Sequence, residues 1–222
     1  MALTKYNYNS FDVTPVASAA LAFNSDADGF TTATSGSMVL IKTLTASGDA
    51  TLSFVHGSSD VVFDSTYPIY IIKWINAHPS DEDNDAHATI NFTIDGSNWN
   101  VTKHASWCNA LHDEADTSTT FAYNNSLDIQ NATGEHKISS NTGDGNDECS
   151  SGTLWIFDPS STVSVKHFNS ICSDYTVDGF MQHVWTGGYA NTTSALTGVR
   201  FSYSNSAEYD AGTFKLYGIK DS

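Results

Sequence analysis

Basic residues are scarce in this sequence. It contains 9 Lys and Arg against 25 Asp and Glu, which gives a formal net charge of −16 at pH 7. A field of this sign repels phosphate backbones and anionic lipid head groups. The composition therefore predicts a highly soluble protein that has neither nucleic acid nor a membrane as its partner.

Long apolar runs and helical periodicity are also missing. The most apolar stretch, Tyr67 to Ile75, contains Lys73 and is far shorter than the roughly 20 residues that span a bilayer. The first residues, MALTKYNYNSF, have no apolar signal-peptide core. We therefore expect no Sec export, and we interpret the glycosylation-type sequons as products of composition. These sequons begin at Asn91, Asn100, Asn124, Asn131 and Asn191.

Cysteine is limited to Cys108, Cys149 and Cys172, which lie far apart and form no CxxC pair. An odd count without metal-ligand spacing predicts reduced, mostly packed thiols, with a single disulfide as the alternative.

Ser, Thr, Asn, Asp and Gly make up most of the polar residues, and 40% of the 222 residues are apolar. Small polar side chains bond to nearby backbone groups and so favour strands and turns over helices. Short apolar runs recur between turn residues without a fixed repeat. They predict strands at Ser37–Thr45, Ala50–His56, Tyr67–Ile75, Ala88–Ile94, Gly152–Phe157, Thr162–Phe168, Phe180–Trp185, Leu196–Tyr203 and Thr213–Ile219.

Two turn sequences predict hairpins. Asp95-Gly96 lies between two strand-like runs, and Gly tolerates the positive φ of a tight hairpin turn. Asp158-Pro159, followed by serines, separates another pair. Both pairs are therefore expected to be antiparallel neighbours.

Apolar patterning indicates which strand faces are buried. Val199, Phe201 and Tyr203 alternate with polar residues and should share one buried face. The runs Tyr70–Ile75 and Leu154–Phe157 are apolar on both faces, which fits strands covered by two layers or by another subunit.

These patterns together predict an all-β, two-sheet antiparallel sandwich in one domain, 1–222, with an N-terminal extended segment of about 1–35. The weakly patterned interval Asp113–Ser151 should hold loops and short strands near Thr119–Tyr123 and Leu127–Gln130.

An acidic loop has the spacing of calcium ligands. Asp81, Asp83 and Asp85 match the first three positions of an EF-hand loop. Ala86, however, replaces the required Gly, and Phe92 replaces the bidentate Glu. The alternative is a solvated acidic hairpin loop. The same two interpretations apply to the Gly-rich turn that contains Asp144, Asp147 and Glu148.

No motif indicates catalysis. The sequence lacks a G-x-S-x-G elbow, a phosphate-binding glycine loop and any paired-histidine metal motif. Cys108 has no nucleophile signature around it. Carboxylate pairs are uninformative because acidic residues are so abundant. We therefore predict no catalytic, metal-binding or cofactor-binding residue and no cofactor. The histidines, read as ordinary surface or core residues, are His56, His78, His87, His104, His112, His136, His167 and His183.

Aromatic residues make up 12% of the chain. The tryptophans could stack against sugars, but most lie in strand-like apolar runs, which favours packing in the core or at a subunit interface. They are Trp74, Trp99, Trp107, Trp155 and Trp185.

The ending, GFMQHVWTGGYANTTSALTGVRFSYSNSAEYDAGTFKLYGIKDS, resembles the C-terminal region of virion structural proteins of tailed phages, many from marine cyanobacterial phages. IIKWINAHPSDEDNDAHATINFTIDGSNWNVTK and GTLWIFDPSSTVSVKHF resemble their central hairpin and the strand pair before the closing segment. This resemblance implies a jelly-roll-like sandwich and no enzyme. Within it, Thr213–Ile219 should form a final strand, with Gly212 and Gly218 at a turn or a close backbone approach.

The resemblance implies a virion protein that assembles in the host cytoplasm. We expect a capsid decoration (cement) or head-fibre component that forms symmetric oligomers, a homotrimer by resemblance, and contacts the major capsid protein or other virion proteins. The alternative is a tail-fibre or tail-associated receptor-binding module that recognises host glycans. A glycan-degrading or esterase enzyme is the third and least supported hypothesis.

Overall fold

The described residues form strands and no helix. The computed structural model describes the backbone of 21–23 and 30–32 and the residues 36–81 and 85–221. These described residues contain fifteen strands. The expected N-terminal segment, about 1–35, lies outside the described residues except for β1 (Leu21–Phe23) and β2 (Phe30–Thr32), which pair with each other.

All the strand pairs are antiparallel. The larger sheet has nine strands in the order β3 (Met38–Thr45), β15 (Tyr209–Ile219), β5 (Ile69–Pro79), β11 (Ser150–Phe157), β12 (Lys166–Tyr175), β13 (Phe180–Ala190), β7 (Lys103–Asp113) and β8 (Thr119–Tyr123), with β9 (Ile129–Ala132) also paired to β7. The smaller sheet has four strands in the order β10 (His136–Asn141), β6 (His87–Thr93), β14 (Gly198–Tyr203) and β4 (Leu52–Val55).

The chain crosses repeatedly between the two sheets. It alternates from β3 to β4, β5, β6 and β7, and again from β13 to β14 and β15. Each crossing places an apolar strand face opposite the other sheet, which is the arrangement of a jelly-roll-like sandwich. The predicted all-β, two-sheet antiparallel fold is therefore confirmed.

Large aromatic side chains fill the space between the sheets. Trp74 of the larger sheet lies 6.2 Å from Phe201 of the smaller one, measured between ring centroids. Phe168 lies 5.3 Å from Phe92 in the same way. All four rings are almost completely buried. Such contacts add aromatic packing to the hydrophobic burial that holds the sheets together.

Several sequence predictions are confirmed. Val199, Phe201 and Tyr203 point into the core. The strands on either side of Asp158-Pro159 pair as expected, with Ile156 opposite Phe168.

The C-terminal strand lies inside the larger sheet, between β3 and β5, so both of its backbone edges are paired. A Cβ at Gly212 would lie 2.8 Å from the Ala77 backbone, and one at Gly218 would overlap the Tyr67 ring. The expected final strand and the close backbone approach at Gly212 are thus confirmed, whereas the close neighbour of Gly218 is a side chain and not a second backbone.

The predicted hairpin at Asp95-Gly96 is wrong. β6 belongs to the smaller sheet and the next strand, β7, to the larger one. The Asp95 carboxylate accepts hydrogen bonds from the backbone N–H groups of Ser97 and Asn98, at 2.9 and 2.8 Å. This local turn satisfies the backbone without a hairpin partner, so the chain is free to cross to the other sheet.

β7 and β10 were missed because their buried faces are partly polar. In β7 the inward residues Lys103 and Asn109 stand beside Ala105 and Trp107. In β10, His136 and Ser139 are buried. Period-two patterning depends on apolar residues at alternate positions, so polar residues in the core hide it.

Candidate functional site

The outer face of the larger sheet is the most distinctive surface of the molecule. Successive side chains of a strand point to opposite faces, so every second residue of the central strands faces away from the core. These outward residues, named here the outer face, are Ile69, Ile71, Lys73 and Ile75 of β5, Ser151, Thr153, Trp155 and Phe157 of β11, His167, Asn169, Ile171 and Ser173 of β12, Met181, His183, Trp185, Gly187 and Tyr189 of β13, and His104, Ser106, Cys108, Ala110 and His112 of β7.

The strand register aligns these residues in rows. One row runs across the sheet through Leu40, Tyr217, Ile71, Trp155, Asn169, Gly187 and Ser106. Directly opposite side chains on an antiparallel sheet are about 5 Å apart. The apolar members of the row, from β3 to β11, therefore form one continuous strip.

Apolar side chains on this side of the sheet are exposed. Ile75 is 43% exposed, Ile171 37% and Met181 52%. At the margins Leu40 is 52% exposed, and Phe121 of β8 is 80% exposed against the Trp185 ring. Exposed apolar side chains gathered around a half-buried apolar strip are typical of an interaction site.

The outer face carries no acidic residue. None of its described positions is Asp or Glu, although the whole chain has 25 of them, and Lys73 is its only formally charged residue. Four of the eight histidines also lie here: His104, His112, His167 and His183. The carboxylates that give the molecule its negative charge thus lie outside this surface.

The runs Tyr70–Ile75 and Leu154–Phe157, which are apolar on both faces, were expected to be covered by two layers or by another subunit. Tyr70, Ile72 and Trp74 are buried in the core, while Ile75 on the other side is exposed. No layer of residues within 36–81 and 85–221 covers the outer face at Ile75, so a covering layer built from the described part of the chain is not present. Burial against another subunit stays a prediction.

The five tryptophans occupy three different environments. Trp74 and Trp107 are core residues, each 1% exposed. Trp155 and Trp185 are half-buried on the outer face. Trp99 lies over Arg200, 5.2 Å from its guanidinium carbon, and covers part of the smaller sheet.

A pocket of about 460 Å³ opens at the β7 end of the outer face. Its floor includes Gly187, which leaves a gap between Ser106 and Asn169 in the row. Its sides are Tyr123, Tyr189 and His104, together with Gln130 of β9 and Asp128, which directly precedes β9. No sequence signal could have indicated this group, because Tyr123 and Tyr189 come from strands that meet only across β7.

The two acidic loops were considered as candidate calcium sites. Asp81 and Asp85 are exposed, and Asp83 lies outside the described residues. In the second loop the Glu148 carboxylate accepts a hydrogen bond from the Gly145 backbone N–H at 2.7 Å. Within residues 36–81 and 85–221, no group of three or more His, Cys, Asp or Glu side chains is arranged to hold a metal ion.

His78 lies beside the second acidic loop in a pocket of about 450 Å³. Its Nδ1 is 2.7 Å from Asp210 Oδ1, and its Nε2 is 3.0 Å from the Gly145 carbonyl. Burial works to lower the pKa of His78, but the Gly145 carbonyl and the Asp210 carboxylate together raise it above its usual value. This pair accounts for His78 as a structural contact between the loop and β15.

The three cysteines are free thiols. Cys172 is completely buried, and burial raises the pKa of its thiol well above the usual value. Cys108 and Cys149 are half-buried. The predicted reduced state is confirmed, whereas the prediction of mostly packed thiols holds fully only for Cys172. A thiol kept protonated is a poor nucleophile, so Cys172 offers no nucleophilic chemistry.

No protein-family model, curated protein or solved structure matches the chain. The resemblance to phage structural proteins therefore stays a prediction. Within the described part of the chain, no helix is long and apolar enough to cross a membrane.

Proposed function

We propose that this protein is a non-enzymatic structural subunit that associates with copies of itself through the outer face and serves as a capsid decoration or head-fibre component of a tailed phage. The observation that carries the proposal is the acid-free outer face, with its continuous apolar strip from β3 to β11, on a strongly acidic molecule. We propose that a second copy of the chain covers this surface. The resemblance to phage virion proteins favours a trimer.

Electrostatics supports self-association at this surface. Two copies with a net charge of −16 repel each other wherever acidic surfaces meet. The outer face is the part of the larger sheet where copies can approach without bringing carboxylates together. Its apolar side chains supply the hydrophobic gain that offsets the remaining repulsion.

The size of the surface is sufficient. The strands β3 and β15 extend the outer face beyond β5 and add the outward Lys215, which lies opposite Lys73. Together with β5, β11, β12 and β13 they make six strands spaced by about 4.8 Å, and about seven residues of each rise about 3.3 Å apiece. They cover about 650 Å², which lies within the roughly 600–1,000 Å² per partner of stable interfaces. Trp155 and Trp185 lie within this area, and tryptophan is enriched among the residues that dominate interface energies.

Self-association can be tested by placing a charge on the outer face. Ile171→Asp should shift the purified protein from oligomer towards monomer in sedimentation velocity and light scattering, because each copy would bury an unpaired carboxylate. Val163→Asp is the matched control, since Val163 is 83% exposed in a loop away from the face. Circular dichroism should show the same strand signal for both variants.

A monomeric wild-type protein would overturn self-association, as would equal effects of both substitutions. A variant that lacks residues 1–35 tests whether these residues, rather than a second copy, cover the outer face. If those residues cover the face, their removal creates association that the wild type lacks, and the second-copy assignment is wrong.

The place on a particle needs its own measurement. Antibodies against the chain should label the heads of phage particles in negative-stain microscopy, and purified protein should bind to heads. Labelling of the tail tip would favour the receptor-binding alternative, and absence of labelling together with no affinity for particles would remove the virion assignment.

A further inference from the structure

We propose that the pocket around Gly187 binds an uncharged pyranose ring of a glycan. The inference goes beyond structural assembly, and it rests on the geometry of the β7 end of the outer face. The site combines a flat, side-chain-free floor, aromatic walls and polar groups at the rim.

The floor exists because Gly187 has no side chain. Its strand neighbours on the same face, Trp185 and Tyr189, both carry large rings, so a gap lies between them. A Cβ added at Gly187 would lie 3.1 Å from Asn169 Oδ1, which is a tight contact, and 3.9 Å from the Phe168 carbonyl oxygen, and would otherwise project into the gap. A ligand ring can therefore lie directly on the sheet, which a larger residue would prevent.

Two tyrosines supply apolar walls. Tyr123 is 56% exposed, and Tyr189 is flanked by the rings of His104 and His167 at 5.7 and 6.1 Å. The histidine contacts limit how the Tyr189 ring can turn, so its surface is preorganised for stacking. The C–H face of a pyranose packs against such a ring, as apolar ligand surface does in most binding pockets.

Polar groups at the rim match sugar hydroxyls. The Tyr123 hydroxyl donates a hydrogen bond to Asp128 Oδ2 at 2.6 Å, which fixes this carboxylate at the edge of the pocket. Gln130, His104 and Ser106 complete the lining and offer donors and acceptors. Hydroxyls that act as both donor and acceptor can satisfy such a mixed set, whereas a purely apolar ligand cannot.

Charge narrows the ligand class further. Asp128 at the rim and the net charge of −16 disfavour sialic acids, uronic acids and phosphorylated sugars. A neutral hexose or N-acetylhexosamine meets no such penalty. The floor and one wall of the pocket, Gly187 and Tyr189, belong to β13, the last of the six strands assigned to self-association, and the rest of the lining comes from β7, β8, β9 and Asp128. The pocket therefore lies at the margin of that area, and an interface centred on β15 to β12 leaves it accessible.

The experiment is a titration of the full-length protein with methyl glycosides of glucose, galactose, mannose and N-acetylglucosamine, followed by NMR of backbone amides. At least one neutral glycoside should shift the signals of Gly187, Tyr189 and Gln130, with a dissociation constant of about 1 mM for a ligand of this size. N-acetylneuraminic acid should leave these signals unchanged.

Matched variants identify the site. Gly187→Val should abolish the shifts, because its methyl groups occupy the floor. Gly134→Val should leave the shifts unchanged, since a Cβ at Gly134 meets nothing within 4 Å. Tyr189→Ala should weaken binding about tenfold through lost stacking. Tyr217→Ala, which removes an outward tyrosine from β15, should leave the affinity unchanged.

Absence of shifts with every neutral glycoside would overturn the proposal, as would shifts that persist in Gly187→Val or an equal response to the sialic acid. Sedimentation of the same samples keeps the two proposals separate. Loss of sugar binding with intact oligomers concerns the pocket alone, and loss of oligomers with intact sugar binding concerns only the assembly proposal.

Discussion

Single residues set the pH response of the core, and Asp174 is the clearest example. It is buried on the inner face of β12. Its carboxyl accepts hydrogen bonds from the Ser140 N–H at 2.9 Å, the Thr142 hydroxyl at 3.1 Å and the Cys172 thiol at 3.4 Å. Burial outweighs these bonds and raises the pKa of Asp174 to about 7.

The sign of the effect on stability follows from proton binding. Between about pH 4, where an unfolded aspartate titrates, and about pH 7, the folded chain holds one proton more at Asp174 than the unfolded chain does. The contribution of this group to the free energy of unfolding is therefore complete below about pH 4 and is lost as the pH rises through about 7.

Asp174→Asn should flatten this dependence, because an amide cannot ionise. The free energy of unfolding of the variant, relative to wild type, should increase by about 1 kcal/mol per pH unit between about pH 4 and 7. Urea unfolding at several pH values measures it, with Asp178→Asn, an exposed site, as the control. Parallel pH curves for Asp174→Asn and wild type would contradict the assignment.

His136 acts in the opposite direction. It is 1% exposed, and neither of its ring nitrogens has a hydrogen-bond partner among the described residues. Burial, with a smaller contribution from Lys103, lowers the pKa of His136 to about 3. The unfolded chain therefore binds one proton more between about pH 3 and 6.5, so this residue costs stability in acid. His136 contributes equally to the pH dependence of Asp174→Asn and of wild type. The difference between their free energies of unfolding therefore reports on Asp174 alone.

At the scale of elements, strand β11 depends on a glycine that lets the core approach the sheet. A Cβ at Gly152 would lie 2.2 Å from the Trp74 ring and 2.5 Å from the Ile171 carbonyl oxygen. The indole of Trp74 thus occupies the space of a missing side chain, and the backbone of β12 blocks any escape. β11 is paired on both sides, so neither neighbour can move away independently.

Gly152→Ala should destabilise the protein by about 1–3 kcal/mol or more, because overpacking forces Trp74 or the strand backbone to shift. Gly134→Ala is the matched control, since its added methyl group meets no atom within 4 Å. Thermal and urea unfolding measure the difference. Equal stabilities of the two variants would show that Trp74 does not depend on this close approach.

At the scale of the whole molecule, charge is separated from apolar surface. The chain carries −16, yet the outward positions of five central strands in the described structure hold no carboxylate. When two such molecules associate, long-range electrostatic repulsion disfavours the complex and short-range hydrophobic burial favours it. Salt screens the repulsion, with a Debye length of about 10 Å at 0.1 M, and hardly changes the hydrophobic burial.

Self-association should therefore strengthen as salt increases. The dissociation constant measured by sedimentation equilibrium should decrease from low ionic strength to about 0.3 M NaCl, because the repulsion between acidic copies is screened. Ile171→Asp should remain weaker than wild type at every salt concentration. Association that weakens with salt would mean that ion pairs, rather than the apolar face, hold the copies together.

The sequence by itself determined the class of structure and several of its elements. Abundant small polar residues, turn signals and short apolar runs led to an all-β sandwich, and the strands around Asp158-Pro159 and at the C-terminus were placed correctly. These signals are local: turn chemistry and alternation act within a few residues, so they can be read without knowledge of the fold.

Tertiary structure alone decided which strands share a sheet and which side chains share a surface. β6 and β7 separate into different sheets although the turn between them fits a hairpin, and polar core residues hide β7 and β10. The outer face and the Gly187 pocket join residues from strands distant in sequence. Such neighbours are fixed by long-range register, which depends on packing across both sheets rather than on any local pattern.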